Sequence, residues 1–174
     1  MSKIEISLFK KATPETDFEE SLGITRLNSF IFMLSDIIYI FVAWLIQQNV
    51  WGGEQMGFVN LPKATYTQAL IAVGVVTLIS VAIQFFYLPK ITSPAALLNK
   101  NQISSLNELG YRLNQAHLLR IAVAQVPAIL GLVLYLLNGN IPHMIVFVLV
   151  SFVTLLLIFP RQETWDEAKR LFRK

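Results

Sequence analysis

Four long apolar runs, each near the roughly 20 residues that cross a bilayer's hydrocarbon core, alternate with polar segments along this chain. Hydrocarbon offers the backbone no hydrogen-bond partner, so runs of this length must close their bonds internally as helices. The spans read as 27–48, 67–88, 117–137 and 141–159. The expected fold class is therefore an all-α membrane protein with four transmembrane helices. Composition agrees, because 55% hydrophobic against 14% charged residues is a balance that suits lipid rather than water.

The connections alternate in charge. The segments before span 1, between spans 2 and 3, and after span 4 hold Lys3, Lys10, Lys11, Arg26, Lys90, Lys100, Arg112, Arg120, Arg161, Lys169, Arg170, Arg173 and Lys174, whereas the opposite side holds Lys63 alone. By the positive-inside rule both termini are expected in the cytoplasm, with the protein in the plasma membrane. The N-terminal residues mix Lys3, Glu5, Lys10, Lys11, Asp17, Glu19 and Glu20 without an apolar core, so no cleaved secretory signal is expected. The chain divides into a cytoplasmic segment 1–26, a transmembrane hairpin 27–90, a cytoplasmic linker 91–116, a second hairpin 117–160 and a basic tail 161–174.

Two cytoplasmic stretches carry helix signals. In the linker, Ser105 and Glu108 have capping-box spacing, and Leu106, Leu109, Leu113 and Ala116 form a stripe that continues into span 3. In the tail, Thr164 and Glu167 repeat the spacing, with Trp165, Ala168 and Leu171 or Phe172 on one face beside Lys169, Arg170, Arg173 and Lys174. That pattern reads either as an interfacial helix on anionic lipid or as a solvated basic tail anchored by one aromatic. Opposite them, Gly52, Gly53, Gly57 and Pro62 mark a loop, and Asn138-Gly139-Asn140 is a turn tight enough to make spans 3 and 4 antiparallel neighbours.

The hairpins look like tandem repeats. Val42, Trp44, Leu45-Ile46 and Asn49 align with Val133, Tyr135, Leu136-Leu137 and Asn140, while Ser80 precedes Pro89-Lys90 at the spacing by which Ser151 precedes Pro160-Arg161. Two parallel hairpins related by an axis along the membrane normal are expected.

Asp36 lies near the middle of span 1, where a charge costs roughly 2.5–3.5 kcal/mol, offset by the surrounding Ile, Leu, Phe and Val. Ser29, Met33, Asp36 and Ala43 share a face expected to point inward, and Ile31, Leu34, Ile38, Phe41 and Leu45 one expected to meet lipid. Span 2 aligns Gly74, Thr77, Ser80 and Gln84; span 3 aligns Ala124, Gln125, Ala128, Gly131 and Tyr135; span 4 aligns Ser151 with Thr154. Gly74, Ala124, Ala128 and Gly131 are candidate close-packing positions. Asp36, Thr77, Ser80, Gln84, Gln125, Ser151 and Thr154 either bind the bundle together or line an ion pathway.

The run Ala124-Gln125-Val126-Pro127-Ala128-Ile129-Leu130-Gly131-Leu132-Val133 resembles the ion-carrying helix of rotary ATPase c-subunit proteolipids, whose pattern is Ala-Glu-Ala-Pro-Ala-Ile followed by Gly-Leu-Val. The resemblance covers one span and implies a duplicated-hairpin proteolipid. It departs at the ion-binding carboxylate, which corresponds to Gln125, a side chain that does not titrate, and at the glycine-rich packing stripe, of which Gly74 is the sole trace in spans 2 and 4. Under the repeat, Asp36 aligns with Pro127 rather than with Gln125. Descent from that family would leave a packing role without rotary ion transport.

Without cysteine, disulfides, thiolate metal sites and a thiol nucleophile are excluded. His117 and His143 begin consecutive antiparallel spans and so fall near opposite faces, which argues against a shared metal or haem. No catalytic motif is present, no cofactor is expected, and the basic residues follow from topology rather than nucleic-acid binding. The leading expectation is a non-enzymatic membrane subunit or scaffold that associates with itself or with other membrane subunits, and the alternative is a proton- or ion-coupled transport component centred on Asp36.

Overall fold

A computed structural model describes residues 12–52, 57–59, 61–100 and 103–173. All regular structure among them is helical: α1 (Phe18–Asn49), α2 (Lys63–Ala82), a π-helical turn (Ile83–Tyr87), α3 (Leu88–Thr92), α4 (Pro94–Lys100), α5 (Leu106–Asn138), α6 (Ile141–Leu157) and α7 (Gln162–Phe172). Three helical stretches, Phe18–Asn49, Lys63–Thr92 and Leu106–Asn138, are long and apolar enough to cross a membrane. The 17-residue α6 meets α7 at 44°, and the pair makes a fourth crossing if counted as one broken span.

Helix α1 begins at Phe18, well before the first apolar run, because Asp17 caps it by accepting from the Glu19 N–H at 3.3 Å and because Glu19 and Glu20 suit the positive end of the helix. The linker stripe and span 3 form one continuous helix, α5. Its cap departs by one residue from a capping box: Ser105 Oγ accepts from Glu108 N at 3.1 Å, but the Glu108 carboxylate accepts from Ser104 N at 3.1 Å and Ser104 Oγ at 2.9 Å. In the tail α7 starts at Gln162 with Arg161 in the cap position and no capping side chain, so Thr164 is already inside the helix and the Thr164–Glu167 box is not used. Gly139 ends α5 at φ 71°, a conformation that glycine adopts without strain, and Asn140 Oδ1 accepts from His143 N at 3.1 Å to start α6.

Helix α5 is the centre of the molecule, with α1, α2 and α6 packed around it and α1 also against α6. Helices α5 and α6 form a closed hairpin. By contrast α1 and α2, though consecutive in the chain, barely touch and share α5 as their neighbour. One end of the bundle carries the Gly139 turn; the other, here the terminal end, holds Phe18, Leu22, Leu109, Leu113, Trp165 and Ala168 in one apolar cluster. Phe18 and Trp165 meet with ring centroids 5.1 Å apart, and Lys169 pairs with Glu19 at 3.0 Å. The apolar face of α7 is thus occupied by α4, α1 and α5: Trp165 is 4% and Ala168 0% exposed.

Phe41, Trp44, Leu78 and Phe86 point outward, as an apolar surface facing lipid does, and Leu34 and Ile38 join them while Ile31 and Leu45 are half-buried.

Candidate functional site

The inward face of α1 is the one that carries Ser29, Met33, Asp36 and Ala43, all buried. Asp36, which no water can reach, faces the Ser151 hydroxyl of α6 and the Gln125 amide of α5. Gln125 is tethered across the interface, since its Nε2 donates to the Phe32 carbonyl of α1 at 3.0 Å. That leaves Gln125 Oε1, Ser151 Oγ and both Asp36 oxygens buried without a close hydrogen-bond partner. Three other hydroxyls in the bundle are spent on their own helices, Ser29 donating to Thr25 O at 2.9 Å, Ser80 to Thr77 O at 2.8 Å and Thr154 to Val150 O at 2.7 Å, whereas Ser21 and Thr77, like Ser151, are not. Ser151 is held in reserve.

The stoichiometry of these groups suits a carboxylic acid. A protonated Asp36 offers one O–H to Gln125 Oε1 while its other oxygen accepts from Ser151, whereas a carboxylate sets acceptor against acceptor at Gln125. Asp36 also borders a groove of about 140 Å³ between α1 and α6, lined further by Ile37, Ile40, Val148, Leu149 and Phe152. The groove is wholly apolar, and the Asp36 carboxylate stays sealed from it.

The remaining polar candidates do not join this cluster. Thr77, Ser80 and Gln84 form the buried edge of α2 and its π turn, and Ser80 meets Val123, Ala124, Pro127 and Thr154 around a void too narrow for water. Pro127 lacks the N–H that would bond the Val123 carbonyl, so the void marks a break in the α5 ladder. Ala124, Ala128 and Gly131 lie on the buried face of α5, and a Cβ on Gly131 would come within 2.7 Å of Phe147 Cβ. Gly74 differs, because nothing lies within 4 Å of where its Cβ would be.

Toward the terminal end, polar pairs continue between α1, α5 and the π turn. Thr25 Oγ1 donates to Ser21 O at 2.7 Å and lies 2.8 Å from Asn114 Oδ1; Ser29 Oγ lies 2.8 Å from His117 Nε2. Ser29 and His117 thus share one hydrogen bond between α1 and α5, its direction set by the imidazole tautomer. Gln84, with its amide oriented to satisfy both groups, donates to Arg120 O at 3.2 Å and accepts from Arg120 Nε at 3.1 Å. The π turn makes that contact: Pro89 cannot donate to the Phe85 carbonyl, Leu88 N–H reaches back to Ile83 O, and Gln84 becomes the one buried residue of the segment.

Arg120, Asn114, His117 and Tyr135 were not singled out as site residues from sequence. Arg120 reads as a topology cation, and the signal that could have marked it is its place within an apolar run that also holds Gln125. His143 sits apart, at the opposite end from His117, with Nδ1 2.6 Å from the Tyr66 hydroxyl. Compared with models of protein families, with curated proteins and with solved structures, the chain matches none.

Proposed function

We propose that this chain is a non-enzymatic, multi-pass membrane component of a proton- or ion-coupled transport system, in which Asp36 takes up and releases the proton. The observation that carries this reading is the buried trio of Asp36, Gln125 and Ser151, whose unpartnered oxygens are completed by one proton. The reading rests on Asp36 itself and not on the resemblance of 124–133 to rotary proteolipids, which lacks the family's carboxylate at Gln125. The one-sided distribution of cations supports a plasma-membrane protein with both termini in the cytoplasm, and the paired Pro-cation exits support its origin as tandem hairpins.

The test is pH-gradient-dependent flux in vesicles reconstituted with the wild-type protein and with Asp36→Asn. The reading expects flux to vanish in Asp36→Asn while membrane level and helicity are kept. Equal flux in both proteins sinks it.

A second reading, a structural subunit of a membrane assembly, is favoured by α2: Gly74 is open, and Ile71, Val75 and Leu78 beside it are exposed, a surface on which a partner helix can approach closely. Native mass in mild detergent tests it; a bare monomer argues against that reading.

A further inference from the structure

A polar cavity lies away from Asp36, at the terminal end where α5, the α6–α7 joint and the π turn converge. It encloses about 340 Å³, within the range of small-ligand sites, and is lined by His117, Arg120, Arg161, Thr164 and Thr92 among its polar residues. No carboxylate lines it. Among the described residues, neither Arg120 nor Arg161 has an acid within ion-pair distance. Arg120 is half-buried and Gln84 engages its Nε, which leaves the two terminal nitrogens of the fork for another acceptor. Arg26 stands at the rim, donating from Nε to Pro160 O at 3.4 Å.

A second, wholly different groove begins where this cavity ends. Val81, Phe85, Val146, Leu149, Val150, Val153, Thr154 and Leu157 line an apolar channel of about 480 Å³ along the outer surface between the α2 edge and α6. Phe85 and Leu157 belong to both cavities, so a cationic chamber and an apolar trough lie side by side. A soluble anion would fill the first and leave the second unused. A phospholipid matches both.

We propose that this composite site holds one anionic phospholipid, its phosphate on the Arg120 and Arg161 guanidiniums with Thr164 as a further donor, and an acyl chain in the trough over Val153. Basic pockets between membrane helices recognise such headgroups by charge, and bidentate guanidinium–phosphate bonding supplies the preference over zwitterionic lipid. The π turn acquires a purpose here. By turning Gln84 inward it orients Arg120, and it presents Phe85 at the junction of the two cavities.

The test is native mass spectrometry of the full chain released from nanodiscs of equal phosphatidylglycerol and phosphatidylcholine. The wild type should retain one phosphatidylglycerol in preference to phosphatidylcholine by about tenfold, the effect of one charge-assisted contact. Arg161→Gln, an exposed position, should abolish the preference; Arg120→Gln should do the same, with circular dichroism as the check on folding. Val153→Trp, which fills the trough at a half-exposed residue, should lower retention of both lipids. Equal retention of the two lipids by the wild type, or an unchanged preference in Arg161→Gln, overturns the proposal. So does competition by inorganic phosphate or glycerol phosphate at the concentration of the lipid, which would assign the chamber to a soluble anion. None of these readouts depends on flux through Asp36.

Discussion

Single residues differ in how much freedom this bundle leaves them. Gly131 has none: its Cβ position is 2.7 Å from Phe147 Cβ, and the backbone of Met144 crowds the same spot. Gly131→Ala should therefore push α5 from α6 and cost about 1–3 kcal/mol, read as a lower midpoint in detergent unfolding. Glu108, outside the spans, behaves oppositely, because its partners favour one charge state. The Ser104 N–H and hydroxyl, with Arg112 at 3.8 Å, hold its carboxyl below the ordinary value of 4.5. A depressed carboxyl stabilises the fold above its unfolded value and loses that contribution as pH falls through its folded one. The amide protection factors of residues 104–108 should thus be flat at neutral pH and fall once pH drops below about 4.5, while Glu108→Gln removes the dependence.

Among the elements, α7 changes meaning most between sequence and fold. Its heptad of Trp165, Ala168 and Phe172 beside Lys169 and Arg170 is what a lipid-surface helix would show, and equally what a helix docked on its own protein would show. Only the approach of Phe18 and Leu109 decides, because α1 extends beyond the apolar run far enough to meet it. Trp165→Ala should cost about 3–5 kcal/mol of the docking cluster and expose the segment after Pro160 to protease while the membrane helices persist. The inward stripes of α1 and α5 were legible in the sequence because their period follows from helix geometry alone. Which stripe meets which was not. Asp36 and Gln125 come together across two helices, and Ser80 and Thr154 across another pair, by a packing that no spacing encodes.

At the scale of the whole molecule, α5 is the axle and α2 an outlying helix held by its Thr77–Ser80–Gln84 edge and by Tyr66, Leu70 and Val73 packed against Leu134 and Phe147. The absence of cysteine makes topology directly measurable, since single Cys replacements carry no background. Thr164→Cys and Thr13→Cys should react with an impermeant maleimide only from the cytoplasmic side, and Phe58→Cys only from the other. Labelling of Thr13→Cys and Thr164→Cys from opposite sides would contradict both the cation bias and the contact of Phe18 with Trp165.

Hydrophobic run length and the period of small and polar residues are local quantities, and from them the sequence alone determined the helical class and the inward faces of α1 and α5, while Gly74, expected to pack on α2, lies open. Tertiary structure decided what those faces do. It set Ser151 and Gln125 against Asp36, drew Arg120 onto Gln84 through a proline-driven π turn, and folded the basic tail onto α1. Each of these depends on the distance between residues far apart in the chain, which only packing around α5 sets.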